Sequence, residues 1–126
     1  MGRRVAVPEY VRLALEKFLG DGVGRVIVVE HSLYARMHHC SFATTRRRRI
    51  YLVGSAQKFF ADPALMLHEY CHVLRQWEPG HLTTLRYLVE SFRKGYRDNR
   101  FEIEAREFSA DNVHRFRALI GRGVAP

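Results

Sequence analysis

Apolar positions recur along this chain with two different periods, and each change of period marks a new element. Val11, Leu15, Phe18 and Leu19 follow Pro8 at helical spacing, which predicts a helix over Pro8–Leu19 that Gly20-Asp21-Gly22 stops. Proline suits the first turn because its missing N–H would have no helical partner there. Val26-Ile27-Val28-Val29 is a β-branched run and reads as a short buried strand within Arg25–Glu30. The pattern weakens from His31 to Arg49, where it suggests a loop and a second strand near Cys40–Thr44. Ile50-Tyr51-Leu52-Val53, closed by Gly54, is a clearer strand.

The second half of the chain is helical in pattern. Asp62 is placed to cap a helix whose first residue is Pro63, and the helix runs to Trp77, ahead of Pro79-Gly80. Leu85, Leu88, Val89 and Phe92 form the apolar stripe of a further helix over Leu82–Lys94. Gly95–Asn99 connects it to a last helix over Arg100–Leu119, with Asn99 as its cap. A helix, short strands and then three helices predict an α+β fold, with about four helices beside a short sheet.

Composition narrows the class. Apolar residues make up 47% of the chain and aromatics 12%, which excludes a disordered segment. A length of 126 residues suits one domain, spanning 1–126. No apolar stretch approaches a membrane span. No signal-type apolar segment follows Met1-Gly2-Arg3-Arg4, so the expected location is cytoplasmic, with export by a dedicated secretion system as the alternative. Two cysteines, Cys40 and Cys71, do not make a disulfide scaffold. Cys71 is expected in packing. The net charge is +8, which favours an anionic partner such as nucleic acid or an acidic protein. Arg46-Arg47-Arg48-Arg49 is the patch that would meet it, unless those arginines only guard an exposed strand edge.

The chemistry concentrates in His68-Glu69-Tyr70-Cys71-His72. Histidines four apart on a helix project from one face, as two zinc ligands require. Glu69, next to the first, is placed to hold a metal-activated water and act as general base. Leu65-Met66-Leu67 and Val73-Leu74 around the motif predict a half-buried helix, where unpartnered His and Glu would be costly and Zn2+ would satisfy them together. A catalytic site needs a third protein ligand. Glu78 lies where a metzincin ligand would, but Arg75 replaces the glycine that pattern needs. His81, in Pro79-Gly80-His81, is an alternative. Glu102, Glu104 and Glu107 are the downstream carboxylates. Glu102/Ala105 and Glu107/Ala110 each pair a glutamate with a small residue one turn on, which permits close approach of two helices. Tyr96 is a candidate oxyanion donor, Trp77 a core residue, and His38-His39-Cys40 a weak second metal site.

Leu67-His-Glu-Tyr-Cys-His-Val-Leu-Arg-Gln-Trp77 and Tyr96-Arg-Asp-Asn-Arg-Phe-Glu-Ile-Glu-Ala105 resemble the small HExxH domains described as the metallopeptidase-like core of extracellular contractile injection systems. The Glu-x-Glu-Ala piece is also similar to membrane zincins of the HtpX/Oma type and to ImmA/IrrE-like proteases. The resemblance covers roughly Ile50–Asp111. It implies a compact zincin-like fold of the gluzincin type, HExxH on the second helix, zinc held by His68, His72 and Glu102, and peptide hydrolysis with Glu69 as base. Arg106 stands where that family often has aspartate supporting a ligand, and Asp111 or Asp98 would have to replace it. An extended peptide or protein substrate is expected along a strand edge, with Ile50–Val53 as the candidate. Two rival readings stay open: a SprT-like, nucleic-acid-associated protease using His81, and a non-catalytic, zinc-stabilised module of a toxin-delivery or secretion system.

Overall fold

A computed structural model describes residues 2–38 and 43–124. It is α+β, with six helices and a four-stranded mixed sheet. The sheet has the order β1-β2-β4-β3. Its central strands are the two the β-branched runs predicted: β2 (Ile27–Glu30) and β4 (Arg49–Leu52), paired in parallel with Val28 opposite Ile50. Val28, Ile50 and Leu52 are all buried, as interior strands demand. β3 (Ala43–Arg46) lies antiparallel to β4 on one edge, so the strand expected near Cys40–Thr44 is centred a little later. His39 and Cys40 fall outside the described residues, as does the side chain of His38. On the other edge β1 (Arg3–Val5) pairs antiparallel with β2. Arg-Arg-Val carries no alternation to reveal a strand. What holds it is the Glu30 carboxylate, which accepts from Arg3 and also from the Ala56 N–H at 2.8 Å.

α1 (Glu9–Leu19) buries Val11, Ala14 and Leu15. Two short helices were not anticipated, α2 (Leu33–His38) and α3 (Ala56–Phe60). Both are too short to carry a readable stripe, and their presence makes the motif helix the fourth, not the second. α4 (Pro63–Cys71) starts as its sequence predicts: the Asp62 carboxylate accepts the Leu65 N–H at 3.1 Å, and Pro63 opens the first turn. The helix then continues into a π-helical turn over His72–Trp77. α5 spans Thr84–Lys94 and α6 spans Arg100–Val124. Thr83 caps α5, so Leu82 sits buried in the preceding loop rather than in the helix. Asn99 accepts the Phe101 N–H at 2.8 Å at the start of α6.

The core gathers Val11, Leu15, Phe59, Met66, Leu67, Tyr70 and Phe116 from α1, α3, α4 and α6. α4 and α6 are closely packed. Ala105 is fully buried, and one turn further the Ser109 hydroxyl donates to the Ala64 carbonyl at 2.8 Å. α5 is the exception. None of its residues is buried, and its apolar stripe faces outward.

Candidate metal centre

His68 lies on α4, His72 follows one turn later at the start of the π-helical turn, and Glu102 enters from the first turn of α6. The close approach that Ala105 allows brings the three together. His68 Nε2 lies 3.0 Å from Glu102 Oε1 and His72 Nε2 lies 3.2 Å from it, while the two imidazole nitrogens are 3.2 Å apart. One donor atom from each residue therefore belongs to a single tight triangle. Ligands bound tetrahedrally at about 2.0–2.1 Å are about 3.3 Å from one another. The observed triangle is close to one face of such a tetrahedron, leaving a fourth direction open. The donor set of two imidazoles and a carboxylate fits zinc.

The surroundings fix these atoms. Gln76 is completely buried and lies four residues after His72. Its amide N–H groups go to the Phe101 carbonyl at 2.9 Å and the Glu104 carboxylate at 2.7 Å. Its carbonyl therefore faces His72 Nδ1, at 2.6 Å. That nitrogen must be the donor, so a His72 that gives up its Nε2 proton to a metal would turn that nitrogen's lone pair toward the triangle. The other Glu102 oxygen accepts from the Tyr87 hydroxyl at 2.7 Å, a bond that reaches across from α5. Asp98 and Asp111 are exposed. The supporting roles considered for them fall to Gln76 and Tyr87. Gln76 had a readable signal, the same helical face as His72. Tyr87 had none, because its distance to Glu102 depends on how the loop before α6 turns.

Electrostatics follow from burial. Glu69 is 5% exposed and lines the cleft beside the cluster. Desolvation pushes its carboxyl above the usual range, with the two histidines opposing the shift. Burial alone would lower His72. Its hydrogen bond to Glu102 and the charges of Glu69 and Glu102 reverse that, leaving its proton affinity raised. Burial would raise Glu102, but hydrogen bonds from His68 and His72 outweigh it and hold the carboxyl far below its ordinary value. Cys71, between the histidines, is fully buried in packing and lies outside the triangle, its thiol pushed up to about 12 mainly by burial.

The other proposed ligands are elsewhere. His81 is exposed in the loop after the π-helical turn, and Glu104 and Glu107 are exposed on α6. Glu78 forms a two-pronged ion pair with Arg48, at 3.1–3.3 Å. That pair ties the β3–β4 hairpin to the end of the π-helical turn and steadies Arg48 at a φ of +62°, a conformation that side chains disfavour.

A cleft of about 360 Å³ opens over the cluster, lined by β3, Glu69, His72, Trp77, Tyr87, Leu88, Tyr96 and Glu102. Trp77, expected in the core, instead forms part of this wall and donates to the Thr45 hydroxyl at 3.3 Å. Tyr96 reaches the same cleft. β4, proposed as the substrate edge, is sandwiched between β2 and β3, and among the described residues the free edge beside the cleft belongs to β3. The arginine run straddles the hairpin turn. Arg46 lies over the Tyr34 and Trp77 rings, Arg48 is paired, and Arg47 and Arg49 are exposed. A wider, more open hollow between α1 and the end of α6, lined by Lys17, Arg75 and Arg115, shares no residue with the cluster. No helix among the described residues is long and apolar enough to cross a membrane. No family model matches the chain, and no curated protein or solved structure matches it.

Proposed function

We propose that this chain is a zinc-dependent metallopeptidase-like domain that hydrolyses peptide bonds. The observation that carries the reading is the convergence of His68, His72 and Glu102 on one point, with the buried Glu69 beside it in a cleft. His68, His72 and Glu102 would hold the metal. Zinc there supplies Lewis acidity to a substrate carbonyl and to water. Gln76 keeps His72 in its ligating tautomer, and Tyr87 orients Glu102. Glu69, raised in basicity by desolvation, takes the proton of the attacking water and returns it to the leaving amine. An extended peptide would lie along the free edge of β3, Ala43–Arg46, by main-chain pairing.

This reading agrees with the resemblance of Leu67–Trp77 and Tyr96–Ala105 to contractile-injection-system core domains. The SprT-like alternative draws no support from His81, which is exposed and not part of the triangle, and within the arginine run it has Arg47, and Arg49 with its 3.4 Å bond to the Tyr51 hydroxyl, for an anionic partner. A zinc-stabilised module without turnover would share the ligands but has no use for Glu69.

The deciding experiment pairs metal analysis with peptide hydrolysis. The parent should carry about one zinc, His72→Ala should lose it, and Glu69→Gln should keep it while losing hydrolysis. Equal zinc in parent and His72→Ala would end the metal assignment. A zinc-loaded parent inactive on a broad peptide library would leave the interaction-module reading in its place.

A further inference from the structure

α5 has a strongly segregated surface that nothing among the described residues covers. Leu85, Leu88, Val89 and Phe92 follow one another along one line of the helix, and they are 70%, 60%, 48% and 93% exposed. An eleven-residue helix that buries nothing gains little stability from its own hydrogen bonds. An apolar line of this kind calls for a partner.

The charges beside the line are basic. At 100° per residue, Arg86 and Arg93 stand together about 50° beyond Val89, and Lys94 follows on the far side. Arg86 is held by the Gly80 and His81 carbonyls, at 3.1 Å each, so its charge is not neutralised. None of these three cations pairs with a carboxylate among the described residues. Glu90, the only acid on the helix, lies about 50° past Arg86 and Arg93 and accepts the Arg100 N–H at 3.2 Å.

We propose that α5 seats the protein on an anionic lipid surface, its apolar line entering the headgroup boundary and its basic side chains contacting the lipid phosphates. An amphipathic helix with phenylalanine and leucine on one face and arginine and lysine on the other suits that interface. A second copy of the chain suits it less. Apposed lines would bring Arg86 and Arg93 of two copies together, where like charges are costly. Four side chains also fall far short of the roughly 20–30 residues that each side of a stable protein interface supplies, whereas binding to lipid adds the attraction of anionic headgroups to the buried apolar area. Leu88 also lines the cleft, and Tyr87 on the same helix holds Glu102. A membrane under α5 therefore lies beside the mouth of the candidate metal centre.

Co-sedimentation of the full chain with vesicles tests this directly. Vesicles of phosphatidylcholine mixed with phosphatidylglycerol should bind the protein, and phosphatidylcholine alone should not. Because a net charge of +8 attracts anionic vesicles unaided, the decisive variant keeps the charge. Phe92→Ser should weaken binding about tenfold or more, with Phe92→Leu retaining it. Arg86→Ser with Arg93→Ser should weaken it further and reduce, without abolishing, its salt dependence. Undiminished binding by Phe92→Ser would overturn the proposal in favour of general charge attraction. Absence of vesicle binding would overturn it as well, and a dimer in gel filtration that Phe92→Ser dissolves would assign the face to a second copy.

Discussion

α5 and α6 are neighbours in sequence, and α5 has the more sharply segregated apolar face, yet α6 is the one that packs into the core. α6 buries Phe101, Ala105, Ser109 and Phe116 against α4 and α1. α5 buries nothing and is moored by polar bonds, from Tyr87 to Glu102 and from the Asn99 amide to Ser91 at 2.9 Å. The contrast shows that periodicity specifies a face but not what the face meets. In α6 the stripe stabilises the fold. In α5 the inward side holds the Glu102 carboxylate in place, and the stripe is left for something outside the chain.

Phenylalanines on the two helices make the sharpest test of that contrast. Phe116→Ala empties a fully enclosed site and should cost about 3–5 kcal/mol. Phe92→Ala should change stability by no more than about 0.5 kcal/mol. Denaturant titration of both variants checks the pair. A comparable loss at Phe92 would mean that α5 packs inward after all.

The junction between the two regions comes next. Gln76→Ala leaves the His72 Nδ1–H and the Phe101 carbonyl without their buried partner, at about 1–3 kcal/mol. Zinc affinity should fall about 10–100-fold, because the imidazole is no longer held in its ligating tautomer. Isothermal titration with zinc measures this, and unchanged affinity would remove Gln76 from the site's support.

The smallest effect concerns the packed side alone. Glu30 has its carboxyl lowered, first by the Ala56 N–H and then by Arg3. A group lowered on folding contributes stability that is present above its unfolded value and lost as pH falls through its folded value. Acidification should therefore loosen the β1–β2–α3 corner. Glu30→Gln, which retains an acceptor for Ala56, should flatten the acid limb of melting temperature against pH. A limb identical to the parent's would show that Glu30 does not contribute to it.

Much of the site was legible before any fold was known. The four-residue spacing of His68 and His72, the adjacent Glu69, and the Glu-x-x-Ala step at Glu102 are local patterns, and helical geometry alone puts each on a defined face. The α4 start was equally local, because Asp62 and Pro63 act within one turn. Tertiary structure decided the rest. Glu102, Glu107 and His81 differ in which one the crossing of α4 and α6 brings to the histidines, and that crossing depends on long-range packing at Ala105 and Ser109. β1 is a strand because Glu30, 27 residues away, binds Arg3. β3 rather than β4 is the open edge because pairing order is a property of the whole sheet. The α5 stripe faces outward because the core is already filled by α1, α3, α4 and α6, a competition among distant segments that no local window of sequence contains.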